Sequence, residues 1–123
     1  MVSKPMSLDY RVFRQIRFSA GEIIFSQGDP GDNCYIVKEG LIKITRVEGE
    51  KARLLGAVNA GCIFGEMALI DDQPRMGTAE VVQDAVCLII TREQFKDKLD
   101  GCDPFVRALL RILVSCARLP ALR

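Results

Sequence analysis

Glu66 and Arg75 stand nine positions apart in FGEMALIDDQPRMGTAEV, Phe64 to Val81, each among small or apolar side chains. Arg75 follows Pro74, and its planar guanidinium can offer two parallel donors to phosphate oxygens. Gly65 permits a tight turn, after which Glu66 to Ile70 can form one helical turn whose first N–H groups lack intrahelical partners and favour an anion. Small neighbours at Ala68, Gly77 and Thr78 would let a ligand approach the backbone closely. A carboxylate beside a phosphate would repel it, so Glu66 makes better sense as an acceptor from a hydroxyl such as that of a ribose. Phosphate and sugar together make a nucleotide. Spacing alone leaves another reading open, an ion pair closing a loop or two solvated charges, worth about 0 to 1 kcal/mol.

Other chemistry is poorly provided for. The chain has no histidine, the commonest metal ligand and general base. Its five cysteines, Cys34, Cys62, Cys87, Cys102 and Cys116, are far apart with no C-x-x-C pair, so they are expected to be small buried hydrophobes rather than a zinc or redox site. Seventeen basic against sixteen acidic residues give a formal charge of +1, with no general attraction to DNA or an anionic membrane, so any bound anion must be held locally. MVSKPMSLDYR contains no apolar signal-like core, and no apolar run approaches a membrane span, so a cytoplasmic chain is expected.

The elements that must hold the two charges form one domain, 1–123, since 123 residues leave little room for a second module. EIIFSQ, CYIVK, LIKITRV, ARLLGAV, TAEVV and VCLII alternate with turn signals at GDPGDN, KEG, VEGEK and the DDQP loop. Short strands at this spacing predict a mainly β, antiparallel, jelly-roll-like β-roll over 17–91. SLDYRVFRQI, with Leu8, Val12, Phe13 and Ile16 on one face, predicts an N-terminal helical segment within 1–16. Two C-terminal helices are expected over 92–118. Thr91 and Gln94 form a capping box for Arg92 to Leu99, and Asp103 with Pro104 opens FVRALLRILVSCAR.

In that last helix, Arg107, Arg111, Ser115 and Arg118 make a narrow polar stripe, while Phe105, Val106, Leu109, Leu110, Ile112, Leu113 and Cys116 span an arc too wide for one covering surface. A homodimer through Phe105 to Arg118 is expected, with full burial inside one domain as the alternative.

GEIIFSQGDPGDNCYIVKEGLIKI, Gly21 to Ile44, and GCIFGEMALIDDQPRMGTAEV, Gly61 to Val81, resemble the cyclic nucleotide-binding domain family. The combination F-G-E-x-A-L followed by P-R-x-x-T at this spacing carries the resemblance. It implies an eight-stranded β-roll with a short phosphate-cassette helix, holding a cyclic nucleotide as ligand. By matching positions, Glu66 would accept from the ribose 2′-hydroxyl and Arg75 would neutralise the cyclic phosphate. Amides near Met67, Ala68 and Met76 would complete the phosphate shell, and Gly65 would allow the close approach. Thr78 matches a hydroxyl position of the family, with an ordinary β-branched strand residue as the alternative.

One position departs from the pattern. After the arginine, family members often carry alanine or serine, and cyclic-GMP binders commonly carry threonine, whereas this chain has Met76. Without that hydroxyl, cyclic AMP is expected over cyclic GMP. Leu119 and Leu122 are the candidates for covering the base. The expected function is a non-catalytic sensor that signals through its terminal helix to a partner or output domain. A degenerate roll that binds partners but no nucleotide is the alternative; a cupin-type metalloenzyme lacks its histidines. No helix-turn-helix is encoded here, so direct DNA contact is not expected.

Overall fold

The computed structural model describes residues 10–119. Six strands form one antiparallel sheet: β1 (Arg14–Phe18), β2 (Ile23–Phe25), β3 (Asn33–Glu48), β4 (Lys51–Val58), β5 (Ile63–Phe64) and β6 (Thr78–Thr91). Three helices accompany it: α1 (Met67–Asp71), α2 (Arg92–Asp100) and α3 (Pro104–Arg118). The order is β1-β6-β3-β4, with β2 also on β6 and β5 on β3. The expected antiparallel roll with a short helix and two C-terminal helices is therefore present.

The centre of the roll is the long β3–β6 pair, running from Asn33 opposite Thr91 to Thr45 opposite Thr78. CYIVK and LIKITRV are both parts of β3, and TAEVV and VCLII are both parts of β6. The turn expected at KEG is instead an irregularity within β3, where the register shifts between Val37 and Ile42. Gly40 has φ of 100°, and a Cβ there would stand 2.5 Å from the Asp84 carbonyl oxygen, so glycine lets β3 bend against β6.

Period-two alternation explains why CYIV and AVCLII are apolar throughout. Tyr35, Val37, Cys87 and Ile89 point into one core with Ile42, Phe64, Ala79 and Val81. Cys34, Ile36, Leu88 and Ile90 point the other way, into a second cluster with Phe13, Leu69 of α1 and Phe95 of α2. Both faces are covered here, so a continuous hydrophobic run replaces alternation.

Four further expectations change. The eight strands that the resemblance implies are six among the described residues, because β3 and β6 each run continuously through two expected strand segments. The N-terminal helix is, in its described part, a single 3-10 turn at Tyr10–Val12, and from Arg14 the chain is strand, because Arg14 to Phe18 pairs with Ala85 to Ile89. Leu8 lies outside the described residues. The cysteines divide: Cys34 and Cys87 are buried, with burial pushing their thiols up to about 12 and about 11, Cys102 is half-buried, and Cys62 and Cys116 are exposed. Finally, α3 packs on α1, with Val114 its buried apolar residue and most of its apolar arc in solvent.

The helix ends follow the local chemistry read from the sequence. Thr91 accepts from the Gln94 amide at 3.2 Å while its own amide donates to the Gln94 side chain at 3.0 Å. Asp103 accepts from the Phe105 amide at 2.7 Å, with Pro104 at the first helical position.

Candidate functional site

Arg75 is the one buried charged residue among the described residues, at 6% exposure. Its backbone is pinned on both sides: its amide donates to Asp29 O at 2.8 Å and its carbonyl accepts from Gly28 N at 2.8 Å. The β2–β3 loop thus fixes where the side chain starts. The guanidinium lies 4.0 Å from the centre of the Phe25 ring, and Nη1 donates to Gly65 O at 2.6 Å and Nη2 to Asn33 O at 2.5 Å. Nε is buried without a partner. Desolvation lowers the Arg75 pKa, so its charge is held at a cost.

Glu66 caps α1 with its backbone in the helical region and makes no side-chain capping bond. Burial raises its pKa above the ordinary 4.5, partly opposed by a bond to its own backbone and by Arg75. No ion pair joins Glu66 to Arg75 among the described residues, which disposes of the loop-closing alternative. The two charges instead line one cavity of about 770 Å³. Ligand sites typically measure roughly 300 to 1,000 Å³.

Six of the seven predicted residues, Gly65, Glu66, Met67, Ala68, Arg75 and Met76, line this cavity. Gly65 has φ of 82°, and a Cβ there would sit 2.7 Å from Arg75 Nη1, so both conformation and contact require glycine. Gly31 is needed for a similar reason: its Cβ would collide with that of Ala68 and approach the guanidinium carbon to 3.2 Å. Met76 keeps its carbonyl engaged by Arg46 Nη1 at 2.6 Å, and its side chain is half-buried at the cavity.

Thr78 is the exception. It does not line the cavity, and its hydroxyl accepts from the Gln27 amide at 3.0 Å, fastening β6 to the β2–β3 loop. The strand-residue alternative describes it better. Of the candidates for covering the base, Leu119 lines the cavity at 68% exposure, and Leu122 lies outside the described residues.

Sequence reasoning missed the opposite wall, Leu54 to Val58 of β4, and Phe25 beneath the guanidinium. A signal existed: Gly56 sits mid-strand with open space where a side chain would be, and a glycine inside a strand often marks close approach by a ligand. Toward α3 the cavity is lined by Cys116, Ala117 and Arg118. Arg118 Nη2 donates to Asp71 Oδ1 at 3.1 Å, Nε donates to Asp71 Oδ2, and Nη1 donates to Pro74 O at 3.1 Å. The end of α3 is thereby tied to the loop between Glu66 and Arg75.

Known proteins resemble this chain in sequence and fold. A family model described as cyclic nucleotide-binding domain matches residues 15–101. The chain is 32% identical over 96 residues to a cAMP-dependent protein kinase regulatory subunit of Dictyostelium discoideum, covering 75% of this chain and 29% of that one. It is 34% identical over 96 residues to a cyclic AMP receptor protein of Thermus thermophilus, covering 77% of this chain and 44% of that one. Among solved structures it resembles the EAL enzyme Bd1971 in its cAMP-bound form, with a TM-score of 0.81 and 33% identity, covering 85% of this chain and 28% of that one. The cGMP-bound form of that protein matches with the same TM-score and identity. The chain spans less than half the length of these relatives.

Proposed function

The chain belongs to the cyclic nucleotide-binding domain family, and from that premise we propose that the cavity around Arg75 holds a cyclic nucleotide, cyclic AMP in preference to cyclic GMP. The observation that carries this is a buried guanidinium whose partners are two neutral carbonyls and an aromatic ring, with Nε unpaired. A buried charge without a counter-charge is costly, and the phosphate monoanion of a cyclic nucleotide supplies one. The Met67, Ala68 and Met76 amides add donors to the phosphate, while Glu66, as a carboxylate, accepts from the ribose 2′-hydroxyl.

The neighbour solved with each nucleotide indicates that the roll admits either base, so selection falls to side chains of the individual chain. Here Met76 stands at the cavity where a threonine would offer a hydroxyl to guanine. The domain acts as a sensor rather than a catalyst. Ligand contact at Glu66 and Arg75 is passed through the Arg118 tie to α3, and from there to a partner or output domain. The exposed apolar arc of α3 is the contact to a second copy. No helix among the described residues is long and apolar enough to cross a membrane.

Calorimetric titration with cyclic AMP, then with cyclic GMP, tests the reading. One-to-one saturation with tighter cyclic AMP is expected. Equal or tighter cyclic GMP binding removes the preference. No heat or thermal shift with either at millimolar concentration leaves the degenerate roll, with Met76 the first residue to change.

A further inference from the structure

A second, smaller cavity of about 270 Å³ lies between α1, α2 and α3, and shares no lining residue with the nucleotide cavity. Four basic side chains line it, Arg92 and Lys96 from α2 and Arg107 and Arg111 from α3, against two carboxylates, Asp72 and Asp100. Each basic pair is spaced i, i+4, which places both charges on one helix face; like charges at that spacing destabilise a helix. Asp72 occupies Arg92 through a 2.6 Å ion pair, and Arg107 donates to the Asp100 carbonyl at 3.2 Å. Lys96 and Arg111 pair with no carboxylate among the described residues. The floor is apolar, made by Leu69 and Ile70 of α1, Leu99 and Leu110.

We propose that this three-helix groove docks a short acidic peptide segment of a partner protein, with carboxylates set on Lys96 and Arg111 and an apolar side chain on the Leu99 and Leu110 floor. Charge complementarity selects the sign: two helices turn four cations against two carboxylates toward one space, an excess that an anionic occupant relieves. The floor selects a peptide over a bare inorganic anion, because an ion would leave Leu99 and Leu110 uncovered. Nucleic acid is disfavoured by the +1 formal charge of the whole chain.

The test uses the full chain and two blocked pentapeptides, Ac-Glu-Leu-Glu-Leu-Glu-amide and the same peptide with lysine for glutamate, followed by amide NMR shifts and fluorescence anisotropy. The glutamate peptide is expected to bind with saturable shifts at Lys96, Leu99, Leu110 and Arg111. The exposed double variant Lys96→Glu/Arg111→Glu should weaken it roughly tenfold or more while leaving the thermal melt unchanged. Three results overturn the proposal: no shifts in the wild-type chain, equal binding of the lysine peptide, or displacement of the glutamate peptide by millimolar inorganic phosphate at the same residues. If the double variant unfolds, the wild-type shift map and the lysine control still decide.

Discussion

Gly65 meets the Arg75 guanidinium at its Nη1 edge: the glycine carbonyl accepts from Nη1 at 2.6 Å, and a Cβ on the glycine would stand 2.7 Å from that nitrogen. One residue thus orients the cation and makes room for it, in a conformation with φ of 82°. Gly65→Ala should cost about 1 to 2 kcal/mol of fold stability from the left-handed backbone alone. It should also push Arg75 out of line and cost roughly 1 to 3 kcal/mol of cyclic AMP affinity. Thermal melts and calorimetry on the same sample separate the two, and a stability loss with intact affinity would show that Arg75 tolerates displacement.

Arg75→Ala should weaken cyclic AMP by roughly 2 to 5 kcal/mol, because a desolvated phosphate is left without its counter-charge. Glu66→Gln removes one charge-assisted acceptor and should cost less, roughly 1 to 3 kcal/mol. Unchanged affinity in Arg75→Ala removes that residue from the site, and a larger loss at Glu66 reverses the assigned ranking.

What could be read from the sequence was what depends on near neighbours in the chain. Thr91 with Gln94, and Asp103 with Pro104, cap helices through bonds spanning a few residues, so both starts were legible. Gly65, Glu66 and Arg75 could be picked out by residue type and spacing, and the fold sets all three along one cavity. Arg14 to Ile16 reads as part of a helix by periodicity yet lies in a strand, because Arg14 to Phe18 pairs with Ala85 to Ile89, about seventy residues away. Gly40 reads as a turn because its packing against Asp84 and Ala85 is invisible locally. The β4 wall and Phe25 were missed for the same reason: the fold brings them to the cavity from distant positions.

Ligand affinity should depend on pH through Glu66. Burial raises its pKa above 4.5, so the folded chain binds this proton more tightly than the unfolded chain. Its contribution to folding stability is fully present below 4.5 and is lost as pH rises through the raised value. Binding runs in the opposite sense, since the carboxylate is the form that accepts from a hydroxyl. Cyclic AMP affinity should therefore fall on acidification, at a pH above that of an ordinary glutamate. Glu66→Gln should flatten this profile; an unchanged profile in that variant places the titration elsewhere.

Arg118 and Asp71 hold α3 against α1, their side chains only 19% and 17% exposed. Arg118→Ala and Asp71→Ala should each lower hydrogen-exchange protection along α3 while leaving β3 and β6 protected. Their combined effect should fall short of the sum, with a coupling of about 1 to 3 kcal/mol. Additive effects would mean that the two residues act separately, leaving the Arg118 bond to the Pro74 carbonyl as the tie between α3 and the loop before Arg75.

The apolar arc of α3 stands largely exposed on the single chain. Phe105, Leu109, Ile112 and Cys116 are all exposed and recur at steps of four, three and four, the spacing of a helix-pairing seam. Phe105 is 71% exposed and Ile112 58%, so burying them against a second α3 offers substantial stabilisation, roughly 1.5 to 3 kcal/mol for each fully covered side chain. Sedimentation at micromolar concentration should show a dimer. Ile112→Glu should convert it to a monomer, because a charge in the seam must be desolvated, while affinity at Glu66 and Arg75 changes little. A wild-type chain that sediments as a monomer across that range would leave the seam without its partner and return α3 to a purely intramolecular role.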